Sequence, residues 1–268
     1  MNRLNGEVGF CKVKEKAVVY KYKLHHGEEP PISGRRGSGI IFFSGCTLGC
    51  VFCQNYPMSH WRRGREISIP QLAKIMLALQ RSGAHNLNLV TASHFVPQIL
   101  LALEAAIDEG FSLPIVYNSS GYETIETLEL LDGVVDVYLP DMKYSQGKIA
   151  KKYSGARDYH EFNQAAVREM YRQVGDLILD ENEIAVRGLI IRHLLLPNGL
   201  AGTEEIMRFI AEEVSVRIHI SLMSQYLPIW GAKDYPEIRR RIEMREYEEA
   251  LNILARYGLD NGWVQEFS

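Results

Sequence analysis

Short apolar runs alternate with amphipathic stretches along almost the whole chain. Residues 40–44, 87–91, 115–118, 134–139, 189–196 and 217–223 are nearly continuous in apolar side chains, the pattern of strands buried on both faces of a parallel sheet. Between them the spacing turns helical. Leu72, Ile75, Met76 and Leu79 share one face behind a Ser68–Gln71 capping box. Gly83 stops that helix, and Gly110 and Gly133 stop the next two. Further on, Ile206, Phe209 and Ile210 follow a Thr203 cap, and Tyr247, Ala250, Leu251 and Leu254 mark a last helix. A hairpin, 177–179 with 184–186 around Glu181-Asn182, precedes the fifth strand. Upstream, 17–24 is β-rich and partly alternating, an exposed strand, and Pro30-Pro31 with 34–39 makes a linker. Residues 1–38 are thus expected as an N-terminal β extension and linker, and 39–268 as the main domain.

About six βα units in succession imply a parallel sheet with right-handed crossovers. Polar side chains gather where its strands end: Ser44-Gly45-Cys46, Thr91-Ala92-Ser93-His94, Asn118-Ser119-Ser120-Gly121, Asp141-Met142-Lys143 and Ser224-Gln225. Five loaded strand ends fit one shared mouth, so the expected fold is α/β, a (βα)6 partial TIM barrel.

Composition narrows the function classes. Of 268 residues, 46% are hydrophobic and 24% charged, which supports a full core and excludes disorder. A net charge of −3 argues against a dedicated nucleic-acid partner. No apolar run approaches a membrane span, and the polar stretch from Met1 to Glu7 is no signal peptide, so the expected location is cytoplasmic. Three of the four cysteines crowd together at Cys46, Cys50 and Cys53, which points to a metal or catalytic site rather than a disulfide scaffold.

Thiolates spaced four and then three apart can wrap one inorganic centre, with Gly45 and Gly49 relaxing the backbone. Iron–sulfur clusters normally take four cysteines, so three leave one iron of a cubane open. The alternative is zinc with His60 or Cys11 as fourth ligand, in a non-enzymatic interaction module. Asp141 and Lys143, two apart on a strand, face one side, either as a ligand clamp or as a simple ion pair. Arg192 lies inside an apolar strand where an unpaired guanidinium is costly, and His193 faces the other way. Thr91, Ser93 and His94 are candidate lining residues, with helix capping the alternative for Ser93. Tyr56, Met58 and Trp61 either shield the centre, dock a partner or pack in the core. His25, His26 and His85 are expected at the surface.

The pattern CxxxCxFC after Phe42-Phe43-Ser44-Gly45 resembles the cluster motif of radical S-adenosylmethionine enzymes. The string from Cys46 to Asn55, Gly64-Arg65-Glu66-Ile67-Ser68, Asp141-Met142-Lys143 and Ile191-Arg192-His193-Leu194-Leu195-Leu196-Pro197 resemble, in order, elements of the activating enzymes of pyruvate formate-lyase and other glycyl-radical enzymes. Glu29-Pro30-Pro31-Ile32-Ser33-Gly34, Val116-Tyr117-Asn118-Ser119-Ser120-Gly121-Tyr122 and Met223-Ser224-Gln225-Tyr226 are closer still to an uncharacterised paralogue group of iron–sulfur proteins.

The resemblance implies a 4Fe-4S cluster on Cys46, Cys50 and Cys53, the catalytic metal ligands, with the open iron chelated by S-adenosylmethionine. Reductive cleavage would give a 5′-deoxyadenosyl radical that abstracts hydrogen from a backbone glycine of a glycyl-radical enzyme, or from a small molecule or peptide. The electron would come from a flavodoxin- or ferredoxin-type donor. Lys143 would take the methionyl carboxylate and Asp141 the ammonium, with Arg192 as a second carboxylate or substrate anchor and Phe52 beside the cofactor. Asn118 and Ser120, standing where the activating enzymes carry Asp-Thr-Asn-Gly, would bond the amine and ribose hydroxyls. Thr91-Ala92-Ser93-His94 falls where radical enzymes often carry a Gly-Gly-Glu element, and Gln225 stands near the position at which the activating enzymes carry a ligand-facing histidine. The paralogue group also carries four cysteines ending in a segment like Gly9-Phe10-Cys11; this sequence starts after the first three, so either that additional metal site is lost or the true start lies upstream, and Cys11 alone is not expected to hold it.

Overall fold

The computed structural model describes residues 7–267, so of the polar N-terminal stretch only Glu7 falls within it. Its strands are β1 (Ala17–His25), β2 (Ser38–Phe43), β3 (Arg65–Ile67), β4 (Leu87–Val90), β5 (Ile115–Ser119), β6 (Val137–Pro140), β7 (Ile178–Leu179), β8 (Ala185–Leu194), β9 (His219–Met223) and β10 (Gly262–Val264). Its helices are α1 (Pro30–Ser33), α2 (Tyr56–Ser59), α3 (Ile69–Arg81), α4 (Val96–Asp108), α5 (Ile125–Glu129), α6 (Gly147–Ser154), α7 (Tyr159–Val174), α8 (Thr203–Glu213) and α9 (Met244–Arg256). Among the described residues no helix is long and apolar enough to cross a membrane.

The six expected strands are β2, β4, β5, β6, β8 and β9, side by side in chain order and all parallel. The sheet curls without closing. β10 extends it beyond β9 in parallel, while β1 and then β3 extend the other edge antiparallel to β2 and β1 respectively. The partial barrel is therefore present. Leu87, Leu89, Tyr117, Tyr138 and Ile191 face the helix layer, while Val116, Val137, Leu139 and Ile190 face the lumen. Burial on both faces explains why these strands read as unbroken apolar runs.

The N-terminal segment shares this sheet and core. From β1 the chain turns inward, and α1, begun by Pro30-Pro31 where a missing N–H costs nothing, puts Ile32 fully buried among the lumen side chains. Asn86 donates to the Ile32 carbonyl (2.8 Å) and accepts from Ser38 (2.6 Å). The residues expected as a plain linker therefore plug the base of the barrel.

Ser68 caps α3 as expected, accepting from the Gln71 N–H while Gln71 reaches back to the Ser68 N–H. Thr203 differs. It is the first residue of α8 behind a left-handed Gly202, and its hydroxyl meets His193 Nε2 at 3.0 Å instead of capping. α5 ends at Glu129, short of Gly133. The hairpin is present, with β7 paired to the start of β8, and β8 runs on without a break into the barrel.

Candidate functional site

All ten residues singled out for the cofactors line a single cavity at the C-terminal ends of the strands: Cys46, Cys50, Phe52, Cys53, Asn118, Ser120, Asp141, Lys143, Arg192 and Gln225. A larger concavity of about 970 Å³ lies around α1 and the 180–184 turn. It contains no cysteine, so chemistry rather than size identifies the site.

The thiol loop runs from the end of β2 to α2. Each sulfur meets a polar neighbour. Ser154 at the end of α6 donates to Cys50 Sγ (2.9 Å), Ser59 lies 3.1 Å from Cys53 Sγ, and the Leu48 N–H points at Cys46 Sγ (3.4 Å). Burial pushes the Cys46 thiol up to about 12 and the Cys50 thiol up to about 11, with Lys143 offsetting part of the effect at both. Cys46 and Cys50 so placed keep their protons near neutral pH unless a metal displaces them. The three thiols line one cavity, although among the described residues no three metal-ligating side chains converge on one point. His60, a possible fourth zinc ligand, holds the Cys50 carbonyl through Nε2 (3.0 Å). Cys11 is buried, its carbonyl close against Gly45, outside the cavity lining. Phe52 sits edge-on to Tyr226 (5.6 Å) and Tyr144 (6.4 Å) beneath the loop.

A charged cluster lines the same cavity. Asp141 accepts from Lys143 Nζ (2.5 Å) and from Arg192 Nε (2.9 Å), so the sheet's β6 and β8 ends are joined at the mouth. Arg192 Nη2 donates to Asn118 Oδ1 (2.7 Å). Burial alone would raise the Asp141 carboxyl, but the Arg192 and Lys143 charges outweigh it and hold Asp141 below its ordinary range. The same pairing outweighs burial at Lys143 and Arg192 and keeps both protonated. His193 faces the helix layer as expected. Burial lowers it to about 4, and it bonds the Met142 carbonyl (2.8 Å) as a neutral ring.

Sequence reasoning missed Glu28. It enters from the barrel floor, 3.6 Å from Arg192 Nη1, and accepts from Asn118 Nδ2 at 3.3 Å. Asn118 thus accepts from the guanidinium on one side and donates to a carboxylate on the other. An aspartate there would set a carboxylate against Glu28, which gives a physical reason for asparagine. Tyr159 and Asn163 of α7 were also missed. The Tyr159 hydroxyl meets the Ser120 and Asp141 carbonyls and the Lys143 N–H, and Asn163 Nδ2 bonds the Gly121 and Asp141 carbonyls. These two side chains fix the ends of β5 and β6. Gly121, at φ +68°, has no room for a Cβ against Asn163.

Thr91 lines the cavity at φ +59°, a rare conformation for a β-branched residue. Ser93 and His94 do not line it, because a 3-10 turn over Ser93–Phe95 carries both away. Ser93 donates to Glu123 (2.5 Å) rather than capping, and His94 Nε2 meets the Ser44 carbonyl (2.8 Å). Met58 is core, Tyr56 half-buried and Trp61 exposed. His26 is exposed, and His25 and His85 are partly so.

Burial raises the Glu123 carboxyl to about 7 against the opposing bonds from Ser93, Ser119 and Tyr117. Folded protein then holds that proton where the unfolded chain has lost it. Stability contributed by Glu123 is complete below the ordinary carboxylate range and lost as pH rises to about 7. Glu123→Gln is expected to flatten this part of the pH–stability curve in chemical denaturation and to make the protein relatively more stable at alkaline pH.

Residues 40–168 match the family described as the Radical SAM superfamily. An uncharacterised protein of Methanocaldococcus jannaschii is 34% identical over 261 residues, covering 95% of this chain and 71% of its own. Among solved structures, the FeFe-hydrogenase maturase HydG from Carboxydothermus hydrogenoformans superposes with a TM-score of 0.57 at 12% identity, over 82% of this chain and 50% of that one. SuiB of Streptococcus suis, bound to its precursor peptide SuiA, gives 0.55 at 11% identity, over 82% and 46%. The chain spans about half the length of these solved proteins, and at such identities they share its fold.

Proposed function

This chain belongs to the radical S-adenosylmethionine superfamily, and on that footing we propose that Cys46, Cys50 and Cys53 hold its cluster while Asp141, Lys143, Arg192, Asn118 and Ser120 receive S-adenosylmethionine. The family works with a 4Fe-4S cluster and S-adenosylmethionine; when bound, the pair supplies reductive cleavage of the sulfonium and hydrogen abstraction. The observation that carries the assignment is the shared cavity, which the three thiols and the charged cluster line together. Lys143 offers an ammonium to the methionyl carboxylate, and Asp141 accepts from the methionyl amine. Arg192, engaged by Asp141, Asn118 and Glu28, orients that pair. Phe52, Leu48, Met58 and Tyr226 exclude water from the reacting atoms.

For the substrate, the activating-enzyme elements favour a backbone glycine of a glycyl-radical enzyme. The test is to supply pyruvate formate-lyase deuterated at its glycine Cα positions and to analyse the 5′-deoxyadenosine formed. Deuterium in the nucleoside, with a protein radical signal, supports glycine activation. Unlabelled nucleoside with no such signal contradicts it and leaves a peptide or small molecule as substrate.

The hydrogen bond from Ser154 to Cys50 Sγ bears on the cluster's potential, which falls when donors to sulfur are removed. Ser154→Ala is expected to retain its iron and to require a stronger reductant in a redox titration.

A further inference from the structure

β1 is longer than the strand that covers its outer side. One side pairs with β2 from Val19 to His25, with a bulge between Val19 and Lys21. On the other side β3 pairs only Ala17, Val18 and Val19. Among the described residues no further strand pairs with β1 there, so from Tyr20 to His25 a sheet edge stands open. Such an edge offers main-chain N–H and C=O groups to any extended chain that approaches it. Tyr20, Lys21, Tyr22 and Lys23 along it are all exposed, the two tyrosines at 42% and 50%. Exposed aromatic rings beside unpaired main chain are a feature of surfaces that bind.

Where β3 stops, a groove of about 440 Å³ is lined jointly by β1, β3 and α3. Tyr20, Tyr22, Ile67 and Ile75 supply its apolar surface. Lys21, Arg65 and Lys74 supply its charge, and no carboxylate lines it. Glu66 of β3 alternates to the other face. Three cations with no counter-charge in the lining stand out in a chain whose net charge is −3. Lysines on an edge strand keep it from pairing with a further copy of itself, because like charges would then lie side by side. The same lysines favour an incoming strand that brings carboxylates. An edge beside a helix is also a known geometry for strand addition, in which the main chain gives affinity and alternate side chains give specificity.

We propose that this groove takes an extended acidic segment of a partner polypeptide, added as a strand along Tyr20–His25. Its carboxylates meet Lys21, Arg65 and Lys74, and its apolar side chains pack on Tyr20, Tyr22 and Ile75. Only hydrogen bonds and contacts form, and no covalent bond changes. The inference goes beyond the cofactor assignment and does not rest on it, since none of these residues lines the thiol cavity.

The probe is a fluorescein-labelled peptide that alternates glutamate with valine over the length of a strand, titrated with the full chain and read by anisotropy. Two further peptides carry N-methyl groups, one at every valine and the other at every glutamate. Only alternate N–H groups of an added strand face the ladder, so one methylated peptide is expected to bind as the parent does and the other to lose binding. Lys21→Glu with Lys74→Glu changes two exposed side chains, and its circular dichroism should match the wild type. Affinity for the acidic peptide is expected to fall about tenfold or more at low salt in that variant, the difference shrinking as salt rises. A peptide with lysine in place of glutamate should then prefer the variant to the wild type. No binding of the parent peptide, or affinity indifferent to the double substitution, overturns the proposal. Wild-type affinity for both methylated peptides also overturns it, leaving attraction by charge without a ladder. So does a dimer in sedimentation that the double substitution abolishes, which would make the occupant a second copy of this chain.

Discussion

Cys50→Ala, reconstituted anaerobically, is expected to hold no stable cubane and to release no 5′-deoxyadenosine above background. Among the described residues only three cysteines line the cavity, and iron–sulfur clusters normally need four thiolates. With one ligand already ceded to S-adenosylmethionine, two protein thiolates cannot keep the assembly. The substitution removes a single buried sulfur, packed against Ser154, so the fold should survive and circular dichroism should match the wild type. Iron content and absorbance near 400 nm check the loss. Retained iron with active cleavage in this variant would refute the ligand assignment.

Asp141→Asn carries the second large effect. The native carboxylate neutralises Lys143 and Arg192 at 2.5 and 2.9 Å, and all three side chains are at least four-fifths buried. Asparagine leaves two cations facing each other with Glu28 as the nearest remaining carboxylate. Breaking such a pair costs about 3–5 kcal/mol, which lowers Tm by roughly 6–20 °C in a chain of this size. Calorimetry checks the drop, and S-adenosylmethionine binding to the reconstituted protein should be lost with it. Among the described residues Arg192 then keeps only Glu28, at 3.6 Å, as a carboxylate partner. Asp141→Leu combined with Arg192→Met removes one of the two under-compensated cations and should recover part of the lost stability while remaining unable to bind. Full stability in Asp141→Asn would show that the cluster is not electrostatically coupled as described.

Both predictions start from residues visible in the sequence, and the reason is physical. A parallel strand must be apolar on both faces, so the polar residues that interrupt it mark its end and turn to the mouth together. Cys46, Asn118, Asp141 and Gln225 all follow this rule, while Arg192 interrupts β8 two residues before its end. Glu28 does not, since it reaches Asn118 across 90 residues through a segment that reads as a linker. Ser154 is equally hidden, meeting Cys50 from 104 residues away. The helix α7 escaped the periodicity because its inner face includes Asn163 and Gln173, whose buried polar atoms bond strand ends and a neighbouring helix. At the sheet's edges β3 and β10, three residues each, are too short to show alternation. His94 misled for a related reason, because a local 3-10 turn rotates it away from the mouth, a change of direction that no spacing rule registers.

The most direct test of the account is anaerobic reconstitution of the cluster followed by reduction with dithionite in the presence of S-adenosylmethionine. Methionine and 5′-deoxyadenosine are expected in equal amounts, lost together when any of Cys46, Cys50 or Cys53 is replaced. Protein that carries its full complement of iron and sulfide, binds S-adenosylmethionine and still yields no nucleoside, with or without a candidate substrate, would contradict it.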